Sequence, residues 1–178
     1  MSNIFMKATP KHADFSWEQI GDIKEGRNTL GEDMPVLVYR LLQYSINHVL
    51  VTEYGQDFSD KVFRQAGEKV GAEFAKNTLD LSLGMDSFIS ELQKTLKETK
   101  IGILRIEAFN HDTGEFTLTV GEDLDCSGLP ITNEVVCIYD EGFIAGIFYA
   151  YTGKQYHVKE VDCWASGDRV CRFKGSCK

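Results

Sequence analysis

The sequence predicts an α+β fold in which an antiparallel, twisted sheet of two hairpins is covered by about four helices. Three observations support this prediction. Apolar residues recur at helical spacing through most of residues 34–98, short β-branched runs follow at 101–120, and a further helical segment precedes two more short runs after residue 133. Because helices and hairpins come in blocks and do not alternate one by one, this order favours an α+β fold over a doubly wound one.

The polar first segment, residues 1–33, is interpreted as an N-terminal arm, and residues 34–178 as a single domain. A chain of 178 residues has the usual length of one domain. Its start lacks the apolar core of a signal peptide, and no apolar run approaches the roughly 18 residues of a membrane-spanning helix. We therefore expect a cytoplasmic protein with no membrane span.

Three helices are predicted between residues 34 and 98. The first begins near Met34 and ends at Gly55, the second follows Asp60, and the third covers residues 85–98. Each places apolar side chains three and four positions apart, which is the spacing of one helix face.

Two hairpins are predicted in the second half of the chain. Residues 101–109 and 115–120 are short, rich in branched or alternating apolar residues, and joined by a turn, as in an antiparallel hairpin. Residues 156–164 and 170–173 have the same character and form the second pair.

A fourth helix is expected between the two hairpins. It runs from about Asn133 to Tyr151, after an irregular loop over residues 121–131, with Thr132 or Asn133 as its N-cap. Gly153 then ends the helix, because glycine adopts the left-handed conformation that is common at this position.

The charge of the chain limits the range of partners. Acidic residues outnumber basic ones by 27 to 19, which gives a formal charge of -8. Such a surface repels phosphate backbones, and no basic cluster compensates for it. Nucleic acid is therefore excluded as an expected partner.

The five cysteines all lie at or after Cys126. An odd number argues against a complete set of internal disulfides. In a reducing compartment, clustered cysteines bind metal or take part in redox chemistry more often than they form crosslinks. The cysteines are therefore the first place to look for chemistry.

Cys163 and Cys171 flank the turn of the second hairpin, with Gly167 midway between them. A symmetric turn places them opposite each other, with Cβ atoms about 4.5–5.5 Å apart. This separation is compatible with two thiolates on one zinc ion, with a redox pair, or with two buried thiols that act as small apolar groups. The hairpin alone leaves these three interpretations open.

Two further residues can extend this pair. Cys137, in the first turn or so of the fourth helix, can supply a third sulfur if that helix packs over the second hairpin. Glu160 can supply a carboxylate, but residues three apart on a regular strand point to opposite faces. Glu160 therefore joins Cys163 only if a bulge lies at residues 161–162, and is otherwise a solvated strand residue.

One pattern of spacing runs through the last third of the chain, and its members are Cys137, Gly142, Gly146, Gly153, Glu160, Cys163, Gly167, Cys171 and Phe173. Together these residues resemble the 4-vinyl reductase domain family. That family includes the sensor domains of phenol-responsive transcription activators and is related to the TRAPP vesicle-tethering subunits. The resemblance implies a fold like that of the 4-vinyl reductase domains and TRAPP subunits.

The resemblance also implies a zinc site. In the phenol-sensing members, three cysteines and one glutamate hold the zinc. The residues with the same separations here, of 25, seven and two intervening positions, are Cys137, Cys163, Cys171 and Glu160. Four protein ligands leave no open coordination position, so the resemblance implies a structural zinc in residues 137–173. Cys126 lies outside this pattern and is interpreted as a plain loop cysteine.

A ligand cavity is a further implication of the resemblance. Its expected walls are Phe88, Leu104, Ile106, Phe116, Leu118, Gly142, Gly146 and Tyr149. The two glycines are equally compatible with close packing of the helix on the sheet, without any cavity. Phenylalanines stand where the phenol sensors hold the ligand hydroxyl with histidine and tryptophan, which favours a more apolar ligand than phenol.

These features predict a zinc-stabilised small-molecule-binding or sensory domain, which holds a small hydrophobic or aromatic ligand. We expect it to form a homodimer and to signal to a downstream protein, without an output domain of its own. The alternative is a tetrapyrrole-pathway accessory protein or reductase, with Cys126 as a thiolate ligand of haem. No GxGxxG, Walker or CxxC motif supports an electron source, so catalysis is not expected. A third alternative is an interaction-only protein like the tethering subunits.

Overall fold

The computed structural model describes residues 14–177. Within this range the chain forms five α-helices and four strands: α1 (Ile23–Gly26), α2 (Val36–Tyr54), α3 (Gln56–Thr78), α4 (Met85–Glu98), β1 (Ile103–Phe109), β2 (Phe116–Gly121), α5 (Ile138–Thr152), β3 (Tyr156–Asp162) and β4 (Cys171–Cys177). The predicted α+β fold, with its two hairpins and four long helices, is confirmed. Residues 1–13 of the N-terminal arm lie outside the described residues, and the rest of the arm contains α1.

The four strands form one antiparallel sheet in the order β1-β2-β4-β3. The two strands of each predicted hairpin are paired with each other in this sheet. The two hairpins join through the pairing of β2 with β4, where Val120 lies opposite Cys171. One extra residue interrupts the pairing in β1 and another in β3, at Glu107 and Val161. The bulge at Val161 is the one that Glu160 requires in order to approach Cys163.

Helix α5 forms the centre of the molecule, and its residues from Asp140 to Phe148 are all buried. One side packs against α3 so closely that a Cβ at Gly142 would collide with the carbonyl of Arg64, and one at Gly146 with that of Glu68. The facing helix also uses glycine at this contact, at Gly67 and Gly71. The close-packing interpretation of the α5 glycines therefore holds, but their partner is α3 and not the sheet.

The start of α5 differs from the prediction. The helix begins at Ile138, with Cys137 in the N-cap position, and not near Asn133. The backbone N–H groups of Thr132 and Asn133 both donate to the carbonyl of Ala165, at 2.8 and 3.0 Å. Those bonds hold the preceding segment against the turn after β3, so the helix cannot extend into it.

Helix α2 lies at the outside of the molecule. None of its residues is buried, and its apolar side chains remain largely exposed, with Leu37 at 67% and Leu41 at 63%. It ends at Gly55, whose positive φ of 88° turns the chain directly into α3, earlier than the predicted start after Asp60. Among the helices of residues 14–177, none has the length and apolarity needed to cross a membrane.

Candidate metal centre

Four cysteines come together at the end of the sheet nearest the start of α5. Cys126 lies in the loop after β2, Cys137 is the N-cap of α5, Cys163 follows β3, and Cys171 begins β4. Each is at most 1% exposed, and the four Sγ atoms lie within 4.8 Å of one another. The structure therefore joins three of the predicted ligands with a fourth sulfur that the sequence pattern did not include.

Two separations from Cys137 Sγ match a tetrahedral metal site, and the contact between Cys126 and Cys171 is shorter than such a site requires. Cys137 Sγ is 3.8 Å from Cys163 Sγ and 3.7 Å from Cys171 Sγ, and Cys126 Sγ is 3.1 Å from Cys171 Sγ. A tetrahedral zinc ion with Zn–S bonds of about 2.3 Å separates its sulfur atoms by about 3.8 Å. All four cysteines are free thiols, so the cluster is a donor set and not a pair of disulfides.

Cys163 and Cys171 reach the cluster through the second hairpin, as predicted from its turn. The last pair of that ladder is Asp162 with Arg172, and the two cysteines are the next residues toward the turn. The N–H of Cys163 donates to Ser166 Oγ at 3.0 Å, and its carbonyl accepts from the N–H of Asp168 at 3.1 Å. These bonds fix a tight turn that keeps the Cys163 sulfur buried.

The loop that carries Cys126 is folded back by a side chain. Asp123 Oδ1 accepts the N–H groups of Asp125 at 2.9 Å and Cys126 at 3.1 Å, which closes a turn around the carboxylate. The N–H of Leu124 donates to the carbonyl of Ile101 at 2.9 Å, which anchors the loop beside β1. The Asp-x-Asp-Cys sequence is the signal that would have indicated this turn.

Helix α2 holds the same loop from outside. Tyr39 and Gln43 donate to the two carboxylate oxygens of Asp125, at 2.7 and 2.8 Å. Arg40 donates to the carbonyls of Leu124 and Ser127, both at 2.9 Å. The position of Cys126 therefore depends on polar contacts from α2.

Glu160 lies next to the cluster but is not one of its members. Its Oε2 accepts the N–H of Cys137 at 2.9 Å, so the carboxylate binds the N-terminal end of α5. The other oxygen, Oε1, is buried and has no hydrogen-bond partner among the described residues. The structure thus places Cys126, and not Glu160, with the three other cysteines. An axial role for Cys126 on haem would require this buried cluster to open.

The cluster and the two carboxylates beside it are buried, and this burial sets their protonation. Hydrogen bonds among the four thiols lower the pKa of Cys163 and raise the pKa of Cys137 and Cys171, so Cys163 is the thiol whose thiolate form is favoured. Burial raises the pKa of Asp123 to about 6 and that of Glu160 to about 8. Within residues 14–177, no salt bridge reaches either carboxylate, so the site combines many donors with little positive charge.

A small apolar cavity lies beside the cluster, between α4, α5 and the sheet, and has a volume of about 30 Å³. Two of its walls, Leu104 and Leu118, were predicted from the sequence. The carboxylates of Asp123 and Asp140 close one end, and each lies within 4.8 Å of Cys137 Sγ. The remaining lining is apolar: Leu92, Leu96, Ile101, Val120, Phe143, Ile144, Ile147 and Phe148.

The other predicted pocket residues do not line this cavity. Phe116 stacks on Phe148 with ring centroids 4.4 Å apart, and Phe88 stacks on Tyr151 at 3.9 Å, so both phenylalanines fill the core. Tyr149 is 41% exposed on the outer surface. Gly142 and Gly146 contact α3, and Ile106 is a half-buried residue at the edge of the core. Residue type alone did not distinguish core aromatic residues from cavity walls.

Comparison with known proteins supports the resemblance that the cysteine and glycine spacing indicated. Residues 116–176 match the family model of the 4-vinyl reductase domain. An uncharacterized protein of Methanocaldococcus jannaschii is 31% identical over 58% of this chain and 58% of its own length. A second uncharacterized protein of that organism is 23% identical over 82% of this chain and 77% of its own.

Three solved structures share the fold. The phenol-responsive sensory domain of the transcription activator PoxR, solved with phenol, is 16% identical, with a TM-score of 0.64 over 82% of this chain and 77% of that one. A vinyl-4-reductase family protein of Methanocaldococcus jannaschii is 16% identical and has a TM-score of 0.62. The similarity covers 94% of this chain and 99% of that chain. The third structure is trafficking protein particle complex subunit 3 of Naegleria fowleri, covalently bound to palmitic acid. It is 13% identical and has a TM-score of 0.63, and the similarity covers 80% of this chain and 95% of that chain.

These matches confirm the recognition of the 4-vinyl reductase domain and of the fold that it shares with the TRAPP subunits. The similarity to the first M. jannaschii relative covers little more than half of either chain. At 13–16% identity, the solved structures establish the fold that this chain shares with them and nothing more specific.

Proposed function

We propose that this protein is a small-molecule-binding sensory domain stabilised by structural zinc. The observation that carries the proposal is the buried cluster of four cysteines, which lies against the carboxylate end of an apolar cavity. The match to the 4-vinyl reductase domain and the fold shared with a phenol-responsive sensory domain support the same class of function.

The zinc would be held by Cys126, Cys137, Cys163 and Cys171. Four thiolates fill a tetrahedral coordination sphere, so the ion would have no open position for water or substrate. Its contribution would be to crosslink the loop after β2, the start of α5 and the second hairpin. Glu160 would orient the Cys137 backbone through its hydrogen bond and would not bind the ion.

The ligand would be a small, largely apolar molecule in the cavity between α4, α5 and the sheet. The cavity of about 30 Å³ holds only about two water molecules, so a ligand must displace part of its wall. Helix α4 is the wall best placed to move, because Leu92 and Leu96 line the cavity while its other face is exposed. Movement of α4 would report occupancy to the surface.

A second copy of the chain would bind α2. Large apolar side chains along this helix and its approach are exposed by 45% or more: Met34, Val36, Leu37, Val38, Leu41, Leu42, Ile46, Val49 and Tyr54. A contiguous apolar surface of this kind marks an interaction site, and a homodimer is the simplest partner for it. Because α2 also holds the Cys126 loop, the dimer contact would lie directly outside the zinc site.

Native mass spectrometry of the protein purified from its natural host tests this proposal. We expect a dimer with one zinc per chain and a fraction that carries one small apolar molecule. A chain that binds zinc but never retains or takes up a small molecule would contradict the sensory function. A protein without zinc would contradict the structural role of the cluster.

A further inference from the structure

We propose that the cavity selects ligands that carry a positively charged amine, which would bind Asp140 at its carboxylate end. This inference rests on the proposed small-molecule function, because it names the chemical class of ligand for the same cavity. It follows from the geometry of one end of the cavity and from the charges around it.

Asp140 is the group that points to a ligand. It lies in the first turn of α5, is 9% exposed, and contributes to the lining of the cavity. Its Oδ2 atom is buried and has no hydrogen-bond partner among the described residues. An unpaired buried acceptor is costly, so a donor supplied by a ligand would relieve that cost.

The second carboxylate of this end is already engaged. Asp123 Oδ1 accepts two backbone N–H groups, from Asp125 and Cys126. Asp123 therefore supplies negative charge but has less hydrogen-bonding capacity to offer. Asp140 Oδ2 is the acceptor without a partner, and Asp123 lies beside it at the same end of the cavity.

The charges nearby favour an amine over a neutral donor. Four thiolates around one Zn²⁺ would carry a net charge of −2 beside this end of the cavity. In the described part of the chain, Arg40 donates to backbone carbonyls, and Arg64 and Lys159 are paired with Glu141. A cationic ligand head would offset this excess of negative charge, whereas a carboxylate ligand would be repelled.

The rest of the cavity is apolar and sets the character of the ligand tail. The walls opposite the two carboxylates are leucine, isoleucine, valine and phenylalanine side chains. A molecule with a short hydrocarbon or aromatic body and one terminal ammonium group would place the ammonium at Asp140 and its body in the space that opens when the cavity wall moves.

A matched ligand series tests the inference. Ethylbenzene, benzyl alcohol and benzylamine share one shape and end in a methyl, a hydroxyl or an ammonium group, and benzoate supplies an anion. Titration of each into zinc-loaded protein, followed by amide NMR at pH 7.5, gives both affinity and location. We expect benzylamine to bind at least about tenfold more tightly than ethylbenzene, with shifts at Asp140 and Leu118, and benzoate not to bind.

Two variants locate the selectivity. Asp140→Asn keeps the shape of the side chain but removes its charge, and should abolish the preference for benzylamine. Asp112→Asn removes one exposed carboxylate in the turn after β1 and should leave that preference unchanged. Thermal unfolding of both variants checks that the fold is retained, and the series on the unaltered protein does not depend on either variant.

The outcomes separate this inference from the proposed function. If ethylbenzene binds in the cavity as tightly as benzylamine, amine selection is wrong and small-molecule binding stands. If benzylamine binds only outside the cavity, or equally well to Asp140→Asn, the inference is likewise overturned. If no member of the series binds, the apolar ligand site itself is contradicted.

Discussion

Helices α2 and α5 are both rich in apolar residues, but the protein uses them in opposite ways. Helix α5 is enclosed by α3 and the sheet, with backbone-to-backbone contact at its glycines. Helix α2 has no buried residue and is held mainly by polar side chains that reach the Cys126 loop. The comparison separates a helix that stabilises the fold from one that presents a surface and holds the loop of Cys126.

The largest expected effect is at the contact between α5 and α3. Gly146→Val places side-chain atoms where the backbone of Glu68 lies, so the helices must separate. We expect the free energy of unfolding to fall by about 3 kcal/mol, measured by urea denaturation. Gly26→Ala, at a glycine with open space around it, is the control and should have little effect. Equal stability of the two variants would show that the contact is looser than described.

The buried ion pairs of α5 should give the next largest effect. Glu141 is 1% exposed, and its carboxylate accepts from Arg64, Lys159 and the N–H of Glu160. Glu141→Gln should lower the free energy of unfolding by about 2 kcal/mol, because it removes the charge that three donors share.

The control for this change is a surface ion pair on α3. Glu73→Gln breaks the exposed contact with Lys76 and should cost less than about 0.5 kcal/mol. A similar loss in both variants would mean that the buried network of Glu141 contributes no more than a solvent-exposed pair.

A smaller effect is expected where α2 contacts the loop that carries Cys126. Tyr39→Phe removes the 2.7 Å hydrogen bond to Asp125 and should cost about 1 kcal/mol. Amide hydrogen exchange should become faster at residues 123–127, because the loop loses one of its outer contacts. Tyr54→Phe, at an exposed tyrosine of the same helix, should change neither quantity. Unaltered exchange in Tyr39→Phe would show that the loop is held without α2.

The apolar face of α2 should affect association and hardly affect the fold. Leu41→Glu replaces a side chain that is 63% exposed, so the monomer should keep its stability while the proposed dimer dissociates. Light scattering measures the mass in solution. Leu30→Glu, at a leucine that is 77% exposed but lies outside α2, should leave the dimer intact. A dimer that survives Leu41→Glu would place the interface elsewhere.

The same comparison explains what the sequence could predict. Helical spacing and short β-branched runs were enough to order the elements, because those patterns depend on local periodicity. They could not separate the buried α5 from the exposed α2, since both show similar apolar content. The start of α5 was predicted wrongly because a contact remote in sequence, with the carbonyl of Ala165, holds Thr132 and Asn133 outside the helix.

The same distinction applies to the cysteine cluster, because part of it could be predicted from sequence spacing and part could not. Cys137, Cys163 and Cys171 were identified from their spacing, and the structure brings them together. Glu160 was expected beside them, and the bulge at Val161 does bring it close, but its carboxylate binds the N–H of Cys137. The place of Cys126 depends on a turn around Asp123, which is set by side-chain hydrogen bonds and not by periodicity.

The central claim is that four cysteines hold one structural metal ion, and zinc content in two matched variants tests it most directly. Elemental analysis of purified Cys126→Ser and Glu160→Gln should find zinc reduced well below one ion per chain in the first. It should find about one ion per chain in the second, as in the unaltered protein. Full zinc in Cys126→Ser, together with loss of zinc in Glu160→Gln, would contradict the four-cysteine site and restore Glu160 as the fourth ligand.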